Sequence, residues 1–116
     1  MPDTFEDLKL RLRQFAIDRD WEQFHSPKNM SMALIAEAGE LIEHFQWLTE
    51  EQSYQLPAEK REEVRLEMAD ILIYLIRLSD RLGVDLLQAV EDKIALNERK
   101  YPAEKVRGSS KKYTEY

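Results

Sequence analysis

The stretch MSMALIAEAGELIEHFQWL, residues 30–48, sets Glu37 and Glu40 into a run that is largely apolar. At about 100° per residue its apolar side chains cover nearly the whole circumference of a helix, which is typical of a buried central helix. Glu37 and Glu40 lie three residues apart and therefore share one face of that helix. This stretch predicts a helical core with an acidic pair directed into it.

A second stretch, LEMADILIYLIRL at residues 66–78, repeats the arrangement. Glu67 and Asp70 are again three residues apart in an apolar helix, and Tyr74 follows one turn later on the same face. A single pair of this kind is often only a solvated face. Two pairs in apolar surroundings are harder to explain as solvated faces, because an unpaired buried carboxylate is costly and four of them repel one another.

Divalent cations offset this cost, because carboxylate oxygens supply both negative charge and the ligand type that hard cations prefer. If the two helices cross at this level, the four acids meet in one site. The motif holds neither His nor Cys, which favours Mg²⁺, or Mn²⁺, over zinc or iron. A di-iron bundle would show Glu-x-x-His on two helices, whereas here His44 follows Glu40 by four residues. The predicted metal ligands are Glu37, Glu40, Glu67 and Asp70.

Four helices are predicted around these stretches, and no segment shows the alternation of a strand. Their expected ranges, with N-caps at Thr4, Ser26 and Asp85 and a proline before the third, are about 5–19, 27–49, 58–83 and 86–100. Between the first two lies a polar, aromatic-rich stretch, residues 20–25, called the aromatic segment below. The predicted fold class is all-α, a four-helix bundle-like protomer. We expect residues 1–102 to form one helical catalytic domain and residues 103–116 a basic C-terminal arm of the same domain.

Composition narrows the classes of function. With 17 Lys and Arg against 23 Asp and Glu, the chain has a net charge of −6, which argues against a general nucleic-acid binder. The absence of cysteine excludes disulfides, thiolate zinc sites and cysteine catalysis. The acidic first residues show no signal peptide, and no apolar run is long enough to span a membrane. We expect a soluble, cytoplasmic protein with no membrane partner.

Several segments together resemble a known family. Glu37-Ala38-Gly39-Glu40 with Glu67-Met68-Ala69-Asp70 resembles the ExxE…ExxD signature of the MazG-like, all-α nucleoside triphosphate pyrophosphohydrolases. The closer likeness is to the dCTP pyrophosphatase branch of that family. The segments that match it are 19–25, 45–47, 100–102, 107–109 and 112–113.

The resemblance implies Mg²⁺-dependent cleavage of a nucleotide between its α- and β-phosphates, which releases a monophosphate and pyrophosphate. Its substrates would be surplus or non-standard deoxynucleoside triphosphates, dCTP or a modified dCTP first, so that the enzyme cleans the nucleotide pool. In the family the four motif carboxylates hold the metal ions. The family also implies a homo-oligomer, a dimer or a tetramer, with sites formed between chains. The substrate-binding residues that it implies here are Trp21, Phe24, His25, Trp47, Tyr74, Lys93, Asn97, Arg107 and Lys112.

Three alternatives stay open at this point. Where the dCTP branch has a substrate-contacting histidine, this chain has Leu12, so the same enzyme acting on a purine or damaged nucleotide is one alternative. A non-catalytic helical module whose acidic patch docks a basic partner is the second. The third concerns parts of the predicted site: Trp47 would pack in the core instead of binding the substrate. The basic arm would be a disordered end instead of a phosphate-contacting segment.

Overall fold

The computed structural model describes residues 4–108, and every regular element in that range is a helix. The predicted all-α class is therefore confirmed. Two compact units divide the chain, one ending at Gly83 and one beginning at Val84. The helices are α1 (Phe5–Asp18), a 3-10 helix (Glu22–Phe24), α2 (Pro27–Glu43), α3 (Glu50–Ser53), α4 (Ala58–Leu82), α5 (Leu86–Lys100) and α6 (Ala103–Val106).

The predicted helix starts are confirmed by their caps. The Asp7 backbone N–H donates to Thr4 Oγ1 at 3.1 Å, and the Thr4 N–H donates to Asp7 Oδ2 at 3.3 Å, a complete capping box. Ser26 accepts a hydrogen bond from the backbone N–H three residues on, and so does Asp85. At the far end of α4, Gly83 takes the left-handed conformation that ends many helices, with φ of 68°.

The structure differs from the predicted helices in two ways. Helix α2 ends at Glu43, well before Thr49, and a turn follows it. Thr49 instead begins α3, because its Oγ1 accepts from the Gln52 N–H at 3.1 Å and its own N–H donates to Gln52 Oε1 at 3.0 Å. An N-cap needs extended backbone, so α2 cannot continue through this residue. In addition, α3 and α6 are single turns where no separate helix was predicted, so the described chain has six α-helices instead of four.

In the first unit, α2 packs along α4, and α1 packs on α4. The buried apolar side chains of the described range are few: Ala16, Met30, Val64 and Ile76. The prediction that α2 is buried on all sides is wrong for the single chain, since Met32, Ile35 and Ile42 are exposed. One layer of helices can cover only one face of α2, so its other apolar face has no partner among residues 4–83.

The second unit consists of α5 and α6 in its described part. Leu87, Val90 and Ile94 recur at helical spacing on α5, and all three are exposed. No helix between residues 4 and 108 is long and apolar enough to cross a membrane.

Candidate metal centre

The packing of α2 on α4 brings three carboxylates together. Glu37 of α2 and Glu67 and Asp70 of α4 each place one oxygen within 4.8 Å of the others. Glu40 lies one turn after Glu37, but it is exposed and outside this group of three. The packing of α2 on α4 within the first unit therefore brings together acids from both predicted pairs.

The donor atoms suit a divalent cation. Glu37 Oε2 and Glu67 Oε2 are both buried, and neither has a hydrogen-bond partner among the described residues. Buried carboxylate oxygens normally find a donor, because leaving them unpaired is costly. A hard cation would satisfy both oxygens at once, and the all-oxygen donor set matches what Mg²⁺ and Mn²⁺ prefer.

Crowding of the acids changes their protonation. Burial, contact with Glu67 and Glu40, and the charge of Asp70 raise the pKa of Glu37 to about 7. Burial and the same carboxylates also raise the pKa of the nearby Tyr74 hydroxyl, which therefore remains protonated at neutral pH. Without a cation, Glu37 thus holds a proton over much of the range in which an ordinary glutamate has lost it.

This raised pKa predicts a pH-dependent stability for the metal-free protein. Between the usual pKa of 4.5 and about 7 the folded state binds more protons than the unfolded state, so stability falls as the pH rises through this window. We expect the Tm in EDTA to drop by about 5 °C between pH 5 and pH 8 relative to a Glu37→Gln variant.

Circular dichroism melts of both proteins across this range measure the effect. The comparison with Glu37→Gln is essential, because burial lowers the pKa of His25 and this contributes a slope of the opposite sign. Identical pH profiles for the two proteins would show that Glu37 titrates as it does in the unfolded chain.

A cavity of about 270 Å³ lies beside the carboxylates in the first unit. Asp70 belongs to its lining, so the cavity and the acid group share this residue. The Trp21 ring meets Phe15 edge-on at 5.7 Å between centroids and lies 6.2 Å from the His25 ring. The residues that line the cavity are Leu12, Phe15, Trp21, His25, Asp70, Ile73, Tyr74 and Arg77. An acidic edge and aromatic walls can thus contact the two ends of one ligand.

The other predicted binding residues have different positions. Trp21, His25 and Tyr74 line the cavity, whereas Phe24 and Trp47 do not, and they are 58% and 86% exposed. In the second unit Lys93 and Asn97 lie one turn apart on α5, and Arg107 follows α6. Lys112 is outside the described residues.

Local hydrogen bonds shape the aromatic segment. At the end of α1 the Trp21 N–H donates to the Ala16 carbonyl at 2.9 Å, and the Asp20 N–H donates to the Ile17 carbonyl at 3.0 Å, which is a Schellman motif. Asp20 takes the left-handed conformation there, with φ of 54°, a region that Asp tolerates better than most residues. The chain therefore turns back sharply and directs the segment toward α4.

A group of charged residues that was not predicted from the sequence joins this segment to α4. Arg77 of α4 is 3% exposed and donates to Glu22 through Nη2 and to Asp80 through Nη1 at 3.1 Å. Its Nε is buried without a partner in the described chain. The sequence does contain a signal for this group. Arg77 is a charged residue within the otherwise apolar run 71–78, just as the predicted metal ligands are charged residues within apolar helices.

Comparisons with known proteins show which proteins the chain resembles. A model of the MazG-like family matches residues 33–116. The chain is 47% identical to human dCTP pyrophosphatase 1 over 114 residues, which are 97% of this chain and 67% of that protein, and 43% identical to the rat protein over the same share of each. A crystal structure of a pyrophosphatase from Archaeoglobus fulgidus superimposes with a TM-score of 0.81 at 37% identity. The match covers 88% of this chain and 95% of that one.

Proposed function

The chain belongs to the MazG-like family, and on that premise we propose that it hydrolyses dCTP to dCMP and pyrophosphate. The observation that supports this most directly is the joining of an acidic group and an aromatic cavity through Asp70. A nucleoside triphosphate has a matching pair of ends, a polyphosphate and a base. Removing surplus or modified dCTP would make the protein a housecleaning enzyme of the nucleotide pool.

The acids of α2 and α4 would hold the cation, Mg²⁺ or else Mn²⁺. Glu37, Glu67 and Asp70 supply the grouped oxygens, and Glu40 is close enough to Glu37 to raise its pKa. When bound, the cation supplies the positive charge that lets an acidic site accept a triphosphate and increases the acidity of water near it. The carboxylate oxygens left free by the cation can accept a proton from the attacking water and orient it.

The aromatic cavity would hold the nucleoside. Trp21 offers a π-face, and stacking of a base on such a ring is worth about 1–3 kcal/mol. The Tyr74 hydroxyl remains protonated and can donate to a sugar or phosphate oxygen. The cavity volume of about 270 Å³ is slightly below the usual range of about 300–1,000 Å³ for ligand pockets, so the cavity would hold only part of a nucleotide.

The presence of Leu12 favours a second candidate class of substrate. This side chain lines the cavity at the place where the resemblance would supply a histidine. An apolar wall offers no hydrogen bond to the base edge, so it discriminates weakly among bases. The second candidate is therefore the same pyrophosphohydrolase acting on a purine or a damaged nucleotide.

A homo-oligomer would complete both the fold and the site. The described chain exposes many large apolar side chains, among them Ile35 and Ile42 of α2 and Leu72 of α4. Such continuous apolar faces commonly mark a protein interface, and a symmetric second copy offers a complementary one. Trp47 is too exposed to belong to the core of its own chain, and we assign it to the nucleoside site of a neighbouring copy.

The remaining binding residues would act on the phosphates. Lys93 and Asn97 share a face of α5 because they are four residues apart. The basic arm, with Arg107 and Lys112, would contact the phosphates as charge-assisted donors.

A panel of nucleotides tests the proposed function. We expect purified protein with Mg²⁺ to release pyrophosphate from dCTP faster than from dATP, dGTP or dTTP, and EDTA to abolish the release. Both Mg²⁺ and a non-hydrolysable dCTP analogue should raise the Tm, because each binds only the folded protein.

Each competing hypothesis predicts a different result. A non-catalytic interaction module would show neither turnover nor stabilisation by nucleotide. Faster turnover of a purine or an oxidised base would support the second candidate. Release of orthophosphate in place of pyrophosphate would overturn the proposed chemistry.

A further inference from the structure

Two arginines of α4 hold the aromatic segment. Arg77 Nη2 donates to one carboxylate oxygen of Glu22, and Arg81 Nη1 donates to the other at 2.6 Å. Arg81 Nε also donates to the backbone carbonyl of His25 at 3.0 Å. The segment is thus bound to α4 at both its 3-10 helix and its end, through contacts between residues 55 to 59 positions apart in sequence.

Arg77 is in turn held from the opposite side. Asp80 accepts from Arg77 Nη1 at 3.1 Å and forms a two-bond pair with Arg13 of α1, at 3.0 and 2.6 Å. The Arg13 guanidinium holds the pKa of Asp80 below its usual value, so this carboxylate stays charged. Three guanidinium groups and two carboxylates therefore form one chain of ion pairs across α1, the aromatic segment and α4.

This chain of ion pairs lies beside the aromatic cavity. Arg77 lines the cavity together with Trp21 and His25, while Asp70 at the cavity edge belongs to the acid group. Asp70, Tyr74, Arg77 and Arg81 follow one another at helical spacing along one face of α4. The same helix thus holds the acids at one level and the aromatic walls at another.

The buried charge is better suited to orientation than to stability. An apolar residue of similar volume would stabilise a helix interface as well as or better than a buried ion pair does. A guanidinium, in contrast, fixes direction, because its planar donors accept only particular carboxylate positions. Nη2 also lies 3.5 Å from His25 Nδ1, so Arg77 is close to both Glu22 and His25 of the aromatic segment.

We infer that Arg77 and Glu22 are positioning residues that hold the Trp21–His25 wall against α4, and that they thereby determine the affinity for the nucleoside and leave metal binding unaffected. The inference rests on the proposed function for its kinetic part. Its structural part concerns only how firmly Trp21 is held, which can be measured without turnover.

The test compares Glu22→Ala with Glu62→Ala. Glu62 forms a two-bond pair with Arg65 on the exposed side of α4, at 2.9 and 2.7 Å, so its variant loses the same type of interaction away from the cavity. We expect Glu22→Ala to raise the KM for dCTP about tenfold, with kcat within about threefold and the Mg²⁺ half-saturation unchanged. Glu62→Ala should match the parent enzyme in all three.

The second readout is fluorescence. The chain has two tryptophans, so a Trp47→Phe background leaves Trp21 as the sole tryptophan. In that background we expect Glu22→Ala to raise acrylamide quenching of Trp21 about twofold, and Arg77→Met to act in the same direction. If Glu22→Ala fails to fold, Glu22→Gln replaces it. A folded variant with unchanged KM and unchanged quenching overturns the inference.

Failure of the proposed function would look different. If the parent protein and Glu62→Ala release no pyrophosphate from any nucleotide, the activity is wrong. The quenching result would then decide by itself whether Glu22 and Arg77 hold the wall. Increased quenching with an unchanged KM would refute the role in nucleoside affinity.

Discussion

Asp70→Asn is expected to lower the release of pyrophosphate from dCTP at least about 100-fold while leaving the helix content unchanged. Asp70 contributes both to the acid group and to the cavity edge, so its charge lies where phosphate and cation would meet. Asn has nearly the same shape, and Asp70 is exposed, so the packing of α4 does not depend on it. Removing the charge of Asp70 from this group of acids should leave the metal-free protein as stable as before, or more stable.

Three measurements check this expectation: pyrophosphate release, far-UV circular dichroism, and the rise in Tm on adding Mg²⁺. Glu59→Gln, an exposed acid in the first turn of the same helix, is the matched control and should retain full activity. A large loss of helix in Asp70→Asn would indicate a structural role. Glu40→Gln should also lose activity if Glu40 joins the ligands, and normal activity would remove it from the site.

Trp47→Ala is expected to raise the KM for dCTP about ten- to one-hundredfold without lowering the Tm. Its side chain is 86% exposed, so truncating it removes little packing from its own chain. If it stacks on the base in a neighbouring copy, the loss corresponds to about 1–3 kcal/mol of binding. Tyr54→Ala is the control, because Tyr54 is an equally exposed aromatic residue, at 89%, outside the cavity.

Mixed oligomers show whether Trp47 acts on its own chain or on another. Each variant is impaired alone. In a mixed oligomer, a site that takes Asp70 from a Trp47→Ala chain and Trp47 from an Asp70→Asn chain has both native residues. In a random 1:1 mixture about a quarter of the sites have this composition, so activity should return to that level. No recovery after subunit exchange would place Trp47 in the site of its own chain, and an unchanged KM would remove it from the site.

Much of the helical framework was predictable because helix starts depend on a few neighbouring residues. Thr4, Ser26 and Asp85 cap their helices with their own side chains, and Gly83 ends α4 through its own backbone freedom. The end of α2 was not predictable from periodicity. The apolar pattern runs on to Leu48, yet Thr49 uses its hydroxyl to begin α3.

The acidic site was predictable in outline, since four acids in apolar helices are costly enough to require an explanation. Which of the four acids group within one chain was not predictable, because helical spacing puts Glu40 on the same face as Glu37 and cannot tell which oxygens of two helices meet. The burial of α2 was overestimated for a related reason. Apolar periodicity indicates that a face needs a partner, and it does not say whether that partner is in the same chain.

From the amino-acid order alone follow the all-α class, most helix limits, the two acid pairs and the likeness to a nucleotide pyrophosphohydrolase family. These depend on interactions within one or two helical turns, and on motifs whose spacing is local. The grouping of Glu37 with Glu67 and Asp70, and the contact of Arg77 with Glu22 across 55 positions, emerge only from the folded chain. Such contacts depend on how helices cross, and the crossing is determined by the packing of many side chains at once.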